Sequence, residues 1–313
     1  MSAVSENASN DAAEARGLIV TAIFAMLLAG LCSSLLHIGV RYVAAELPAT
    51  QIVFVRSTIT ILFALPVVLK SADVAWRTSR PGLQIFRGLV GVCSMTMWYY
   101  ALGRMPLADA GALSFTTGLF VTLGAVLLFK EKVGVRRWSA LAAGFLGVLI
   151  ILRPGPGMLT WPAVAAIASS ALWAGSLLLA KELGKYDRTL TISFYQPLLI
   201  APFAAVIAVP VWVWPSPRAW AILAGMGAVA AVGNYCYVYA LRLADASIVM
   251  PADYVRLVWM AGWGFLFFAE IPLLTTWIGA LLIIGATFFI TVRESRVAAE
   301  RKAAGASERQ QEI

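Results

Sequence analysis

Arg256 and Asp253 stand three residues apart in a largely apolar stretch, which on a helix puts them on one face. The guanidinium could bind a carboxylate and the carboxylate an ammonium, so the pair could hold a zwitterion. It could equally neutralise itself and brace its helix against neighbours. Arg56 lies in another apolar stretch without a nearby acid, and we expect it to pair with a carbonyl or reach outward along the lipid. His37 is the only histidine and sits one turn before Arg41. Its charge can change near neutral pH, which suits a proton relay or a substrate contact. A neutral, hydrogen-bonded imidazole is the plainer alternative.

Aromatic residues extend this polar set. Trp98, Tyr99, Trp173, Tyr235, Tyr254, Trp259 and Trp263 fall deep in apolar stretches. Core packing or lipid contact explains most aromatics. A few beside Asn234, Ser114 and Thr117 would make a mixed pocket for an amphipathic metabolite. Trp212, Trp214 and Trp220 flank a loop and read as interface anchors. Asp109 and Asp245 read as helix N-caps, and Glu131 and Glu270 as loop anchors rather than substrate ligands.

Several chemistries lack their residues. No Gly-x-x-x-x-Gly-Lys-Ser/Thr loop supplies ATP as an energy source, and no His-Glu-x-x-His or Cys-x-x-Cys is present. One histidine cannot build a multi-histidine metal site, so neither a metal nor a cofactor is expected. Cys32, Cys93 and Cys236 all lie in apolar stretches and read as small core residues rather than a disulfide framework. An intramembrane enzyme would need a nucleophile–base or metal cluster that is not visible.

The elements that must position these residues are membrane helices. The chain is 61% hydrophobic with a mean hydropathy of +0.83, beyond an ordinary soluble domain. Spans need roughly 20 mostly apolar residues. Ten segments qualify: 17–42, 49–69, 82–103, 106–129, 134–152, 161–180, 190–213, 218–241, 246–269 and 272–292. Polar tails at 1–16 and 294–313 are expected to be irregular, and helix 1 lacks a clear cleavage site and should remain. With the N-terminus inside, 17 of the 24 basic residues fall in inner segments and four (Arg41, Arg104, Arg153, Arg218) in outer loops. That bias puts both termini in the cytoplasm. It also explains the net charge of +8 by contact with anionic lipid rather than nucleic acid.

The chain repeats itself. Leu107-Ala108-Asp109-Ala110, an apolar run, Glu131 and Trp138 return as Leu243-Ala244-Asp245-Ala246, an apolar run, Glu270 and Trp277. Lys130, Lys132, Arg136 and Arg137 of the first copy become Ala269, Ile271, Thr275 and Thr276. Losing the inner-side charges means the second copy inserts upside down, as five helices per copy requires. The expected fold is therefore all-α and integral to the membrane, with repeats at 17–153 and 154–293 inverted against each other.

Tyr100-Ala101-Leu102 before Leu107-Ala108-Asp109-Ala110, then Leu113-Ser114-Phe115-Thr116, Glu131, Gly144-Phe145-Leu146-Gly147-Val148, Pro251-Ala252-Asp253-Tyr254-Val255-Arg256-Leu257 and Phe267-Phe268-Ala269-Glu270 carry a likeness across nearly the whole chain. It resembles the drug/metabolite transporter superfamily, EamA type, and within it the bacterial exporters of aromatic and other amino acids. Where that group often has proline in helix 4 this chain has Gly118, so helix 4 is expected to be less kinked. The resemblance implies an inner-membrane secondary transporter exporting small metabolites, foremost amino acids, by alternating access. Helices 1, 3, 4, 6, 8 and 9 would line its central cavity, and helices 5 and 10 would support them. An uncoupled facilitator or channel is the alternative. The implied partners are a small-molecule substrate and the lipid bilayer.

Overall fold

Most described residues of the ten apolar segments are helical. The structure is a computed structural model describing residues 2–70, 77–129, 135–152, 160–243 and 252–289. The expectations for Glu131, Asp245, Arg153 and the tail at 294–313 lie outside those residues. The helices are α1 (Ser2–Val43), α2 (Ala49–Lys70), α3 (Pro81–Leu102), α4 (Leu107–Ser114), α5 (Thr116–Phe129), α6 (Val135–Leu152), α7 (Trp161–Leu183), α8 (Thr189–Ala208), α9 (Pro217–Leu243), α10 (Val255–Phe268) and α11 (Leu274–Phe289). No strand occurs among the described residues.

Local chemistry explains the boundaries. α3 and α7 each carry proline in the first turn, where its missing N–H costs nothing. Ser216 begins α9 by accepting the Ala219 N–H at 3.1 Å. The tail before Gly17, expected to be irregular, continues α1 as helix from Ser2, in keeping with its alanine content. Among the described residues, five segments are long and apolar enough to cross a membrane: Gly17–Val43, Leu107–Gly124, Trp161–Leu183, Thr191–Val211 and Pro217–Tyr237. Ala49–Phe63, Trp138–Leu152, Val255–Phe268 and Leu274–Phe289 are shorter apolar helices.

Helix 4 departs from expectation. It breaks at Phe115 into α4 and α5 although no proline lies at the break. Ser114 Oγ donates to the Gly111 carbonyl and Thr116 Oγ1 to the Leu113 carbonyl, both at 2.6 Å. Hydroxyls bonding back to helix carbonyls bend helices without a ring clash.

Packing joins the two halves of the chain more than it joins neighbours in sequence. α1 packs on α9, α3 on α7, α2 on α8 and α4 on α10. Small residues let these helices approach. A Cβ on Gly233 of α9 would lie 2.8 Å from the Cys32 Cβ of α1. One on Gly147 of α6 would lie 2.6 Å from the Gly279 carbonyl oxygen of α11. Close backbone crossings of this kind drive helix association where lipid removes the hydrophobic incentive.

Candidate functional site

A group of polar and charged residues gathers where α1, α2, α3, the α4–α5 break and α10 meet. His37 on α1 is buried, and its Nε2 accepts the Trp98 indole N–H at 3.3 Å. The two rings meet edge-on with centroids 5.4 Å apart. An indole nitrogen only donates, so Nε2 carries no proton and the neutral ring's hydrogen sits on Nδ1. That Nδ1 is buried and has no partner among the described residues. His37 also lies within electrostatic reach of both Arg256 and Arg56.

Among the described residues, the Arg56 guanidinium meets no carbonyl. It donates to the Tyr99 hydroxyl at 2.7 Å and approaches Met95 Sδ at 3.9 Å. Tyr99 is fully buried, and its hydroxyl holds the arginine. Arg256 sits 3.4 Å from Asp253, and its guanidinium carbon lies 5.1 Å from the Phe115 ring centroid. Phe115 in turn meets Tyr254 edge-on at 5.2 Å. The helix break thus places an aromatic face under a cation. A Cβ on Gly30 would lie 3.5 Å from the Arg256 Cβ, so α1 and α10 touch beside the pair.

Aromatics of α10 continue the wall. Trp263 donates to Ser34 Oγ on α1 at 3.0 Å and stacks with Trp259 at 6.4 Å. Other expected residues stand apart from this cluster. Ser114 is half-buried and spends its hydroxyl on its own helix. Thr117 and Trp173 are half-buried, with no hydrogen bond or ring contact to the cluster among the described residues. Asn234 is exposed, and Tyr235 is 69% exposed and stacked on Tyr239. Tyr237, on the α9 side nearer α1, lies within electrostatic reach of Asp253 and Arg256 instead. Its spacing of four from Gly233 and three from Ala240 marks that side, a signal the individual residue types conceal. Phe115, Ser34 and Tyr237 are the members that residue type alone did not single out.

A contrast shows what the cluster leaves open. Arg87, also inside a helix, donates to the Ser176 and Ile192 carbonyls and to Gln196 Oε1, at 3.3, 2.8 and 2.9 Å. The fold can therefore give every guanidinium nitrogen of a buried arginine a partner. It does not do so at Arg56 or Arg256, whose buried Nε atoms have no partner among the described residues.

Polar clasps lie toward the two ends of the bundle. At one, Glu270 accepts Arg41 Nη2 at 2.6 Å and the Leu107 N–H at 2.8 Å, while Arg41 Nη1 donates to the Leu102 and Met105 carbonyls. Glu270 thus caps α4 from the other half of the chain. Asp109, expected as that cap, lies inside the first turn and accepts from Thr276. At the other end Asp187 accepts from Thr78, the Ser79 N–H and Gln84, joining the α2–α3 and α7–α8 connections. Burial pushes the Asp187 carboxyl up, and these hydrogen bonds overcome that to hold it below its ordinary value.

The chain has relatives across this whole architecture. It is 33% identical to a riboflavin transporter of Vibrio cholerae over 87% of this chain and 93% of that one. It is 30% identical to a pseudopaline exporter of Pseudomonas aeruginosa over 85% and 94%. An S-adenosylmethionine uptake transporter of Rickettsia prowazekii matches at 28% over 86% and 92%. A crystal structure shares the fold with a TM-score of 0.57 at 17% identity, over 91% of this chain and 99% of its own. The EamA-like transporter model matches twice, at residues 20–153 and 160–292. A multi-pass membrane protein of two such repeats, the chain belongs to the EamA-like transporter family.

Proposed function

We propose that the protein is a secondary carrier of the bacterial inner membrane, moving a small amphipathic metabolite by alternating access between two inverted five-helix repeats. The ten apolar segments support ten spans, and the charge bias supports cytoplasmic termini. The pairing of α1 with α9, α3 with α7, α2 with α8 and α4 with α10 is the exchange expected of two repeats related by a pseudo-twofold axis. On that topology the Arg41–Glu270 clasp lies at the outer end and must break for the site to open outward.

The observation that carries the reading is the cluster itself. His37, Arg56, Trp98 and Phe115 come from the first repeat, and Asp253, Tyr254, Arg256 and Trp263 from the second. A site built from both repeats changes its exposure when one rocks against the other. Its aromatic walls and the named relatives favour a heteroaromatic cargo of the riboflavin kind. A second reading, export of amino acids, is favoured by Asp253 beside Arg256, which could clamp a zwitterion. The relatives' names include both uptake and export, so the cargo gradient is taken to set direction.

The test is flux into liposomes holding the purified protein, with labelled riboflavin and labelled aromatic amino acids, with and without a pH gradient. Saturable flux accelerated by unlabelled compound on the far side is expected of a carrier. Flux that neither saturates nor responds to far-side compound would replace it with a channel.

A further inference from the structure

The central cluster is short of acceptors. Asp253 is the only carboxylate joined to it among the described residues, and Arg256 lies 3.4 Å away. Against it stand two guanidiniums and the His37 Nδ1–H, with His37 Nδ1, Arg56 Nε and Arg256 Nε unpartnered among the described residues. His37 is 6% exposed, so water does not readily complete it. Two of the aromatic faces that could receive a foreign cation are already under the protein's own. Arg256 lies over Phe115 at 5.1 Å and Arg56 over Tyr99 at 6.0 Å.

We infer that His37, Arg56 and Arg256 form a donor surface selecting uncharged or anionic planar compounds with hydrogen-bond acceptors along one edge, and excluding cations. This deepens the carrier reading above and rests on it. Two arginines, one aspartate and a neutral imidazole leave the cluster with a net positive charge. A cationic cargo would gain no free acid and would meet like charge in a low-dielectric interior. A ring edge of carbonyl and ring-nitrogen acceptors would instead satisfy donors that are costly to leave unmade. The ring faces would lie against the Trp98, Trp259 and Trp263 walls.

Equilibrium binding to the purified full-length protein separates the cargo classes. Riboflavin presents an uncharged acceptor edge, S-adenosylmethionine a sulfonium cation and L-tryptophan a zwitterion. Riboflavin fluorescence is expected to be quenched saturably, with S-adenosylmethionine competing at least about a hundredfold more weakly, the worth of roughly two charge-assisted hydrogen bonds. His37→Phe should weaken riboflavin binding about tenfold, whereas His37→Gln, which keeps a donor, should stay within about threefold. Arg256→Gln should weaken it at least as much as His37→Phe while the melting profile stays cooperative. Tighter binding of S-adenosylmethionine than riboflavin, absence of riboflavin binding, or equal affinities in His37→Phe and His37→Gln would overturn the inference. Counterflow with the same compounds keeps the two readings apart. Carrier flux with the opposite charge preference sinks only the donor surface, while uncoupled channel-like flux sinks the carrier.

Discussion

Replacing Glu270 by glutamine removes one charge from the clasp between the two halves while keeping its shape. Glu270 accepts two hydrogen bonds, from Arg41 at 2.6 Å and from the Leu107 N–H at 2.8 Å. A bond to a charged group contributes about 1.5–3 kcal/mol and a neutral one about 0.5–1.5 kcal/mol, so the substitution should cost on the order of 2 kcal/mol. The side chains are 20% and 15% exposed, so solvent screens the pair only partly. Unfolding in mixed micelles, followed by tryptophan fluorescence, measures the cost. Arg41 and Glu270 should also couple: with Arg41→Met, the double mutant should be less destabilised than the sum of the singles by about 1 kcal/mol. A Glu270→Gln cost below about 0.5 kcal/mol with additive single effects would refute the clasp's energetic role. If this end opens during transport, the same 2 kcal/mol would shift the open population about thirtyfold, read as faster labelling of a cysteine placed beside Trp263.

Further outcomes follow from other contacts. Gly147→Ala should destabilise the protein by about 1–3 kcal/mol in the same unfolding assay, because the new methyl meets a backbone carbonyl oxygen 2.6 Å away. Tyr99→Phe deprives Arg56 of its 2.7 Å acceptor and should cost about 1.5–3 kcal/mol in stability while weakening cargo binding. Asp187 is held below its ordinary value of 3.8, so its contribution is complete above that value and fades as pH falls through the lower folded-state value. Asp187→Asn should therefore flatten the acid limb of stability against pH, and an unchanged limb would count against the Thr78, Ser79 and Gln84 bonds.

Much of the scaffold was legible in the residues because apolar length and turn chemistry are local properties. The broken fourth helix was not, since its cause is hydroxyls of Ser114 and Thr116 choosing their own helix carbonyls. Asp109 looked like a cap because it opens an apolar run, but the N–H of Leu107 goes to Glu270, far along the chain. The same distance hid the partner of Arg56, whose tyrosine stands on a different helix. Within α9, Tyr235 and Tyr237 are the same residue type, and only their angular place relative to Gly233 and Ala240 separates an exposed ring from one near the charged pair. His37, Asp253 and Arg256 were legible as candidates because an ionisable group in an apolar stretch is costly enough to demand a reason.

The central claim is that the cluster shared by the two repeats holds the cargo. Riboflavin counterflow in liposomes, compared between the unaltered protein and Arg256→Gln, tests it most directly. Far-side riboflavin should accelerate entry of label through the unaltered protein, and Arg256→Gln should lose most of that acceleration while remaining folded. Equal acceleration in both would contradict the account.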